Sequence, residues 1–264
     1  MSRDYTKFFP SKQMGQNFLI DREIVQSICD ILPNFASYDA ILEIGPGKGV
    51  ITRHLVSLNI PLFCIELDKR LFADLKIKYQ ACKNLTLIND DVLMVDFVKL
   101  FRPYKKIIIV ANIPYNITSP IILKCLNEVK IDAMYLMVQK EVARKLNYHK
   151  TTNRNAFVNI VNYYYDVKIF FDISPKSFSP QPEVYSSFIG LKRKRFEPFN
   201  WQFFKFMKPF FLSKRKKLLN NIHPFIAKET LVKWLEQNNI DLNIRAENLD
   251  YDIFMKMFHD LGPK

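Results

Sequence analysis

The sequence has few cysteines and no long apolar run, and both absences limit what the protein can be. Its four cysteines form no CxxC pair, and its four histidines show no metal-ligand spacing. We therefore expect reduced thiols and no metal site. No stretch approaches the roughly 18 apolar residues that a membrane helix needs, and residues 1–19 lack the apolar core of a signal peptide. These absences predict a soluble cytoplasmic protein with no membrane partner.

Acidic residues are also scarce relative to basic ones. The 39 lysines and arginines outnumber the 26 acids, which gives a formal charge of +13 and a sequence pI of about 9.5. Ten cations and one anion lie in residues 192–217, with eight aromatic residues between them. Cations neutralise phosphates and aromatic faces stack on bases, so this segment favours a nucleic-acid partner. The alternatives are an anionic membrane surface and a small helical unit whose lysines face solvent.

Short apolar runs alternate with helix-like segments through the first half of the chain. Their near-continuous hydrophobicity is typical of buried parallel strands. The strand–helix order predicts an α/β fold with a doubly wound, Rossmann-like sheet. Asp21 and Asp68 are predicted helix caps, and Ser119-Pro120 is predicted as a cap followed by a first-turn proline. The predicted strands are residues 40–44, 62–66, 85–89, 107–111 and 133–138.

The pattern changes after about residue 138. Residues 159–171 and 187–191 are predicted as further strands, antiparallel and at one end of the sheet. The two prolines of 178–184 (FSPQPEV) predict a loop between these strands. Only helical periodicity follows from about residue 199. We therefore predict a main α/β domain over residues 1–195 and a small all-α domain over residues 196–264.

A glycine-rich turn follows the first predicted strand, in residues 41–49 (ILEIGPGKG). Three glycines within five positions let the backbone bend sharply and let a ligand come close. The turn is not a P-loop, and it departs from the dinucleotide pattern GxGxxG. It suits a nucleotide-like ligand that lacks a pyrophosphate, and a tight turn without a ligand is the alternative.

Acidic residues follow the next two predicted strands. Glu66 lies 21 residues after Gly45, and an acid there can accept hydrogen bonds from both ribose hydroxyls of an adenosine. Asp91 follows the third strand, and its carboxylate can take an adenine amino hydrogen. Asp90 is the competing candidate, and a plain helix cap is the other alternative. The order of turn, acid and acid at the carboxyl ends of strands indicates an adenosine-containing ligand.

The run Asn112, Ile113, Pro114 and Tyr115 follows the fourth predicted strand. Adenine N6 is a poor nucleophile because its lone pair is delocalised into the ring. The Asn112 oxygen and the Ile113 carbonyl can accept hydrogen bonds from such an amine, and Pro114 keeps the backbone extended. Tyr115 offers a face on which the base can stack. The run predicts chemistry on an adenine amine, and a β-turn with a buried tyrosine is the alternative.

Together these residues resemble the ribosomal RNA adenine N6-dimethyltransferase family, in its small-subunit branch. The resemblance implies a Rossmann-like methyltransferase sheet with helices on both faces, plus a small helical C-terminal domain. It also implies S-adenosyl-L-methionine as cofactor. The implied substrate is two adjacent adenines in the 3′-terminal hairpin loop of small-subunit rRNA, each methylated twice within an assembling subunit. The motifs that carry the resemblance are residues 15–19, 43–49, 65–68, 91, 112–115, 139–142, 178–184 and 245–249.

The resemblance assigns individual residues as well. The implied catalytic residues are Asn112, Ile113, Pro114 and Tyr115. The implied cofactor contacts are Gln16, Asn17, Leu19, Glu43, Gly45, Gly47, Glu66, Asp91 and Asn112. The implied contacts with the target base are Tyr115 and Phe178. The charge pattern of the basic segment separately predicts RNA contacts at Lys214, Arg215, Lys216 and Lys217. Lys48 lies inside the glycine turn, and the sequence leaves open whether its charge faces solvent or the RNA.

Three alternatives compete with the small-subunit branch. The default expectation for the oligomeric state is a monomer. Macrolide-resistance methyltransferases share the glycine turn and the Asn-Ile-Pro-Tyr run but act on large-subunit rRNA. Transcription factors on the same scaffold bind nucleic acid, and the intact run at residues 112–115 speaks against this alternative. A nicotinamide dehydrogenase is disfavoured because the GxGxxG spacing is missing.

Overall fold

The computed structural model describes residues 16–147, 155–213, 216–221 and 226–263. Lys214 and Arg215, which the sequence assigns to RNA binding, lie outside the described residues. Nine strands are present in the described part of the chain. They are β1 (Phe18–Leu19), β2 (Ala40–Ile44), β3 (Leu62–Ile65), β4 (Leu85–Ile88), β5 (Ile107–Asn112), β6 (Ile131–Gln139), β7 (Tyr165–Ile173), β8 (Phe178–Ser179) and β9 (Ser186–Arg193).

Helices occupy most of the connections between these strands and the C-terminal part of the chain. Two of them begin directly after the predicted caps Asp21 and Asp68. In chain order they are α1 (Arg22–Ile31), α2 (Thr52–Val56), α3 (Lys69–Lys78), α4 (Phe97–Leu100), α5 (Thr118–Asn127), α6 (Lys140–Leu146), α7 (Ala156–Tyr164), α8 (Trp201–Met207), α9 (Lys228–Gln237) and α10 (Tyr251–Leu261).

Seven of the described strands form one sheet in the order β4-β3-β2-β5-β6-β9-β7. The first five strands in this order are parallel to one another, and β9 runs antiparallel to β6. Every residue of β2 and β3 is buried, which explains why these strands are continuously apolar. The structure therefore confirms the α/β prediction and the antiparallel strand at 187–191. Short strands β1 and β8 pair with each other in a separate two-stranded sheet.

The aspartate caps predicted at the starts of α1 and α3 are present. The Asp21 carboxylate accepts hydrogen bonds from the backbone N–H groups of Glu23 and Ile24, and Asp68 accepts one from Arg70. The predicted cap at Ser119 is wrong, because α5 begins one residue earlier, at Thr118, and its N-cap makes no side-chain hydrogen bond. The preceding single turn of 3₁₀ helix runs directly into α5, so no separate cap is needed.

The predicted strand at residues 159–171 is wrong in its first half. Residues Ala156–Tyr164 form α7, and β7 begins only at Tyr165. The Asn155 side chain caps α7 by accepting from the Val158 N–H. The segment is rich in β-branched and aromatic residues, which favour strands on propensity alone. Burial of most of the helix outweighs that preference.

The chain divides into two compact units, one of Met1–Ala143 with Lys168–Lys192 and one of Arg144–Val167 with Arg193–Lys264. The predicted boundary at residue 195 differs from this division, because α7 packs with the C-terminal helices. The Tyr163 and Tyr251 rings stack with centroids 3.4 Å apart. Stacking of this kind draws a segment from the middle of the sequence into the C-terminal unit.

Helices α8 and α10 pack through aromatic side chains in the second unit. Phe203 and Phe206 are buried and meet Phe258 edge-on, with ring centroids 5.6 and 5.3 Å apart. Most aromatics of the basic segment thus belong to a helical core, whereas Phe196 and Trp201 are exposed. No helix in the described ranges combines the length and the apolarity that crossing a membrane requires.

Candidate active site

A cavity of about 240 Å³ opens at the carboxyl ends of β2, β3 and β5, all in the first unit. The parallel arrangement brings together residues that are far apart in sequence, because each follows a neighbouring strand. Ten of the predicted site residues line it, namely Gln16, Asn17, Gly45, Gly47, Glu66, Asp91, Asn112, Ile113, Pro114 and Tyr115.

The glycine turn forms one wall of this cavity. Gly45 and Gly47 have φ angles of +65° and +58°, which favour glycine. A Cβ atom on Gly47 would also lie 3.2 Å from the Phe18 ring. The positive φ therefore favours glycine at 47, and a larger residue would also need the Phe18 ring to move by a few tenths of an ångström. The side chain of Lys48 is exposed, and its Nζ lies 5.1 Å from the centroid of the Phe18 ring.

Glu66 is fixed at the end of β3 by two backbone donors. Its Oε2 accepts from the Gly47 N–H at 3.0 Å, and its Oε1 accepts from the Asp68 N–H at 2.9 Å. Burial raises the pKa of the Glu66 carboxyl, and the two N–H donors oppose that rise. The carboxylate is rigid and presents its remaining lone pairs for further hydrogen bonds. Such a group suits a pair of neighbouring hydroxyls.

Asp91 and Asp90 both line the cavity, and the structure separates their environments. The Asp91 side chain is half-buried, and its Oδ1 accepts from the Leu93 N–H at 2.8 Å. Asp90 is exposed, and its Oδ1 accepts from the Asp91 N–H at 2.7 Å. The anchored, less solvated Asp91 is the better placed of the two to take a hydrogen from a ligand amine.

Residues 16 and 17 close one rim of the cavity. The Gln16 amide donates to Asp68 Oδ2 at 3.1 Å, and the Asn17 carbonyl accepts from the Asn112 amide at 3.0 Å. Arg70 hydrogen-bonds the same Asp68 carboxylate and lowers its pKa to about 2. Asp68 therefore stays ionised and holds Gln16 in place. The sequence alone indicated only polar loop residues here, and the family resemblance supplied their role.

The Asn-Ile-Pro-Tyr run forms the opposite wall. Asn112 ends β5, and because its Nδ2 donates to Asn17, its Oδ1 is the atom left to accept. Ile113 is buried, and its N–H donates to the Met137 carbonyl at 3.4 Å. Pro114 is extended, with φ −54° and ψ 132°. The run thus combines a side-chain acceptor with a backbone carbonyl that follows it directly.

Tyr115 is half-buried, and its hydroxyl shares a hydrogen bond of 2.6 Å with the Ser186 hydroxyl. Burial raises the pKa of the Tyr115 hydroxyl above its ordinary value, so the group is neutral at physiological pH. A neutral aromatic ring at a cavity wall is a surface on which a planar base can stack.

Five of the predicted site residues that the structure describes do not line this cavity, namely Leu19, Glu43, Phe178, Lys216 and Lys217. Leu19 and Phe178 are paired across β1 and β8, and both are buried in the hydrophobic core. The structure therefore gives Phe178 a packing role and does not bring its ring to the cavity. Glu43 is buried below the glycine turn, where it accepts from the Thr52 hydroxyl at 2.7 Å. Leu19 and Glu43 instead line a smaller neighbouring pocket of about 30 Å³.

Sequence reasoning missed the apolar parts of the cavity wall. Phe18, Leu67 and Val92 line it, and each directly follows a predicted polar contact. That adjacency is the signal that identifies them, because a pocket needs apolar walls around a few polar groups.

In the second unit, Lys216 and Lys217 are exposed. Within the described residues, no cluster of three or more His, Cys, Asp or Glu side chains is placed to hold a metal ion.

Comparison with known proteins identifies the family. Residues 10–261 match the family model for ribosomal RNA adenine dimethylase. The chain belongs to the ribosomal RNA adenine dimethylase family. It is 41% identical over 264 residues to the "Ribosomal RNA small subunit methyltransferase A" of Ureaplasma urealyticum serovar 10, covering 97% of this chain and 93% of the relative. Membership makes the chain an rRNA-modifying enzyme and confirms the resemblance drawn from the motifs.

Two solved structures share the fold. A dimethyladenosine transferase from Plasmodium falciparum matches with a TM-score of 0.74 at 24% identity, covering 92% of this chain and 98% of that one. The 23S rRNA methyltransferase ErmE matches with a TM-score of 0.65 at 22% identity, covering 94% and 100%. At these identities the two likenesses show the shared fold and do not indicate which rRNA this chain modifies.

The first prediction compares the two aspartates of the cavity. In Asp91→Asn, the amide oxygen keeps the hydrogen bond from the Leu93 N–H. The amide NH₂ then faces the ligand amine, so two hydrogen-bond donors oppose each other. We expect this variant to weaken S-adenosylhomocysteine binding about tenfold or more, the cost of roughly one charge-assisted hydrogen bond. Asp90→Asn, the matched variant, loses less. Isothermal titration measures both, and an equal or greater loss for Asp90→Asn would reverse the assignment.

The second prediction concerns Glu43, whose pKa burial raises from 4.5 to about 7. Folded protein then keeps a proton that unfolded protein releases, so the unfolding free energy falls as pH rises from about 4.5 to 7. At about 1.4 kcal/mol per pH unit the loss is about 3 kcal/mol. Glu43→Gln, which keeps an acceptor for Thr52, removes this dependence.

Urea unfolding at pH 4, 6 and 8 measures the effect for the wild type and Glu43→Gln. The wild type is expected to lose stability relative to the variant across this range. Glu229→Gln, at an exposed acid of α9, serves as the control and keeps the wild-type profile. Parallel pH profiles for the wild type and Glu43→Gln would show that the buried carboxyl does not titrate in this window.

Proposed function

We propose that the chain uses S-adenosyl-L-methionine to dimethylate N6 of two adjacent adenines in the 3′-terminal hairpin loop of small-subunit rRNA. The observation that carries the proposal is that the Glu66 carboxylate and the Asn-Ile-Pro-Tyr run line the same cavity. Family membership supports adenine dimethylation of rRNA. The small-subunit names of the relatives, at up to 42% identity, support the choice of RNA.

The cofactor end of the cavity is the part between the glycine turn and the two acids. Glu66 would accept from the ribose hydroxyls, and Asp91 would accept from the adenine amine. The turn at Gly45 and Gly47 leaves backbone accessible where a side chain would intrude. These polar groups, with the apolar wall at Leu67, fit an adenosine. Bound there, S-adenosyl-L-methionine supplies an electrophilic methyl group.

The target end is the Asn-Ile-Pro-Tyr run. Asn112 Oδ1 and the Ile113 carbonyl would accept the two N6 hydrogens, which turns the nitrogen lone pair out of conjugation and toward the donor. The Tyr115 face would hold the base by stacking, at about 1–3 kcal/mol. No strong base is required, because the nitrogen can lose its proton after methylation. Most of the acceleration would come from alignment, which supplies up to about 7–11 kcal/mol.

The RNA must present an unstacked adenine to this end of the cavity. Flipping a base costs a few kcal/mol and costs least in a loop, which favours a hairpin loop over a duplex. Exposed cations such as Lys216 and Lys217 would neutralise phosphates. We further propose that the chain acts as a monomer in the cytoplasm. We also propose that its substrate is rRNA within an assembling subunit, because A-form helices are recognised largely by shape.

The third prediction tests the substrate. Pure protein and methyl-labelled S-adenosyl-L-methionine are incubated separately with small- and large-subunit rRNA, and with assembling small subunits, from cells lacking this modification. Mass spectrometry is expected to find N6,N6-dimethyladenine at two adjacent positions in the small-subunit hairpin loop. Label confined to large-subunit rRNA would favour the macrolide-resistance alternative and contradict the proposal.

The fourth prediction tests the target end with Asn112→Ala. Loss of one positioned hydrogen-bonding group is expected to lower kcat about 100-fold or more. S-adenosylhomocysteine binding falls only in part, because the acids still hold the adenosine. Asn84→Ala is the matched control, since its amide also donates to backbone carbonyls, those of Val56 and Ile60. Turnover of Asn112→Ala equal to that of Asn84→Ala would refute the catalytic assignment.

A further inference from the structure

The backbone of Tyr115 is fixed, but that alone does not orient its ring. Tyr115 begins a 3₁₀ turn, where the Ile117 N–H donates to the Pro114 carbonyl at 3.1 Å. The Thr118 hydroxyl donates to the Tyr115 carbonyl at 3.3 Å. These bonds hold the main chain of the turn. The direction of the ring depends on side-chain torsions, and therefore on what the hydroxyl contacts.

The hydroxyl of Tyr115 contacts a buried partner on a different strand. Ser186 is fully buried at the start of β9, and its Oγ lies 2.6 Å from the Tyr115 hydroxyl. Ser186 is paired with Gln139 at the end of β6, so its position is set by the sheet. Water does not reach Ser186 to replace the bond, so breaking it leaves a buried hydroxyl unsatisfied. The contact therefore links the end of the tyrosine ring to the sheet.

We propose that Ser186 is a positioning residue that orients the Tyr115 ring for the target base. This inference rests on the proposed function, because it assumes that the Tyr115 face receives an adenine. The hydroxyl pair holds the far end of the ring, while the 3₁₀ turn holds its near end. With both ends held, the ring face is presented to the cavity in one orientation. The antiparallel strand β9 thereby contributes to a site built otherwise from the parallel strands.

The neighbouring residue offers a matched comparison. Ser187 is equally buried on β9, and its hydroxyl donates a hydrogen bond of the same length, 2.6 Å, to Asp172. Neither Ser186 nor Ser187 lines the cavity. Replacing either serine by alanine removes one hydroxyl and one buried hydrogen bond. The Ser187 variant loses a bond to a carboxylate and so has at least the structural cost of the Ser186 variant, but it leaves the Tyr115 hydroxyl paired.

The fifth prediction is a separation of kcat from binding. We expect Ser186→Ala to lower kcat about tenfold, within the range that weakening a base–aromatic stack produces. KM for the RNA should change by no more than about twofold, because phosphate contacts dominate RNA affinity. Binding of S-adenosylhomocysteine is unchanged in this variant. Ser187→Ala keeps wild-type kcat.

A double-mutant cycle gives the deciding measurement. Tyr115→Phe keeps the ring and removes the same hydrogen bond from the other side, so it is expected to lower kcat as much as Ser186→Ala does. The double variant should be no slower than either single one, because both remove one interaction. Additive losses, or an unchanged kcat in Tyr115→Phe, would overturn the inference. If Ser186→Ala does not fold, Tyr115→Phe alone decides, by the same criterion.

A second readout separates this inference from the proposed function. If the wild type transfers no methyl group to rRNA adenines, the proposed function fails whatever the variants do. The orientation of the ring is then tested without substrate, by NMR of protein with ring-labelled tyrosine. The Tyr115 resonances should shift in Ser186→Ala and not in Ser187→Ala. Unshifted Tyr115 resonances in Ser186→Ala would refute the positioning role.

Discussion

The hydrogen bond from the Gly47 N–H to the Glu66 carboxylate joins the two strand ends on which the candidate site depends. Gly47 follows β2 and Glu66 follows β3, and these strands are parallel neighbours. The bond requires a backbone N–H pointing into the cavity, which the positive φ of Gly47 allows. It also fixes a partly desolvated carboxylate through backbone donors. A ligand bound at this point meets an acceptor that is already ordered, so little entropy is lost on binding.

The target half of the site depends on a different constraint, the change of strand direction after β6. The parallel strands place Asn112 at the same edge as the glycine turn. The antiparallel β9 then begins at that edge, and this is why Ser186 lies within reach of Tyr115. A fully parallel sheet would begin its next strand at the opposite edge. The mixed sheet thus supplies both the cofactor end and the support for the target end.

Much of the fold and most of the polar site could be predicted from the sequence, because both depend on local patterns. Continuous apolar runs marked the buried parallel strands, and turn-plus-acid positions marked the cavity edge. What failed depended on tertiary packing. The α7 segment has strand-like composition, but burial and the Asn155 cap make it helical. Phe178 matches a family motif and the pairing of β8 with β1 places its ring in the core, so its role beside the target base stays a prediction. Neither effect is visible in residue spacing.

One cavity is expected to hold an adenosine at the acids and a purine amine at the Asn-Ile-Pro-Tyr run. The most direct measurement is a crystal structure of the protein with S-adenosylhomocysteine. The ribose hydroxyls are expected on Glu66 and the adenine amine on Asp91, with the sulfur directed toward Asn112 and Tyr115. A ligand bound elsewhere, or bound here with its sulfur directed away from Tyr115, would contradict it.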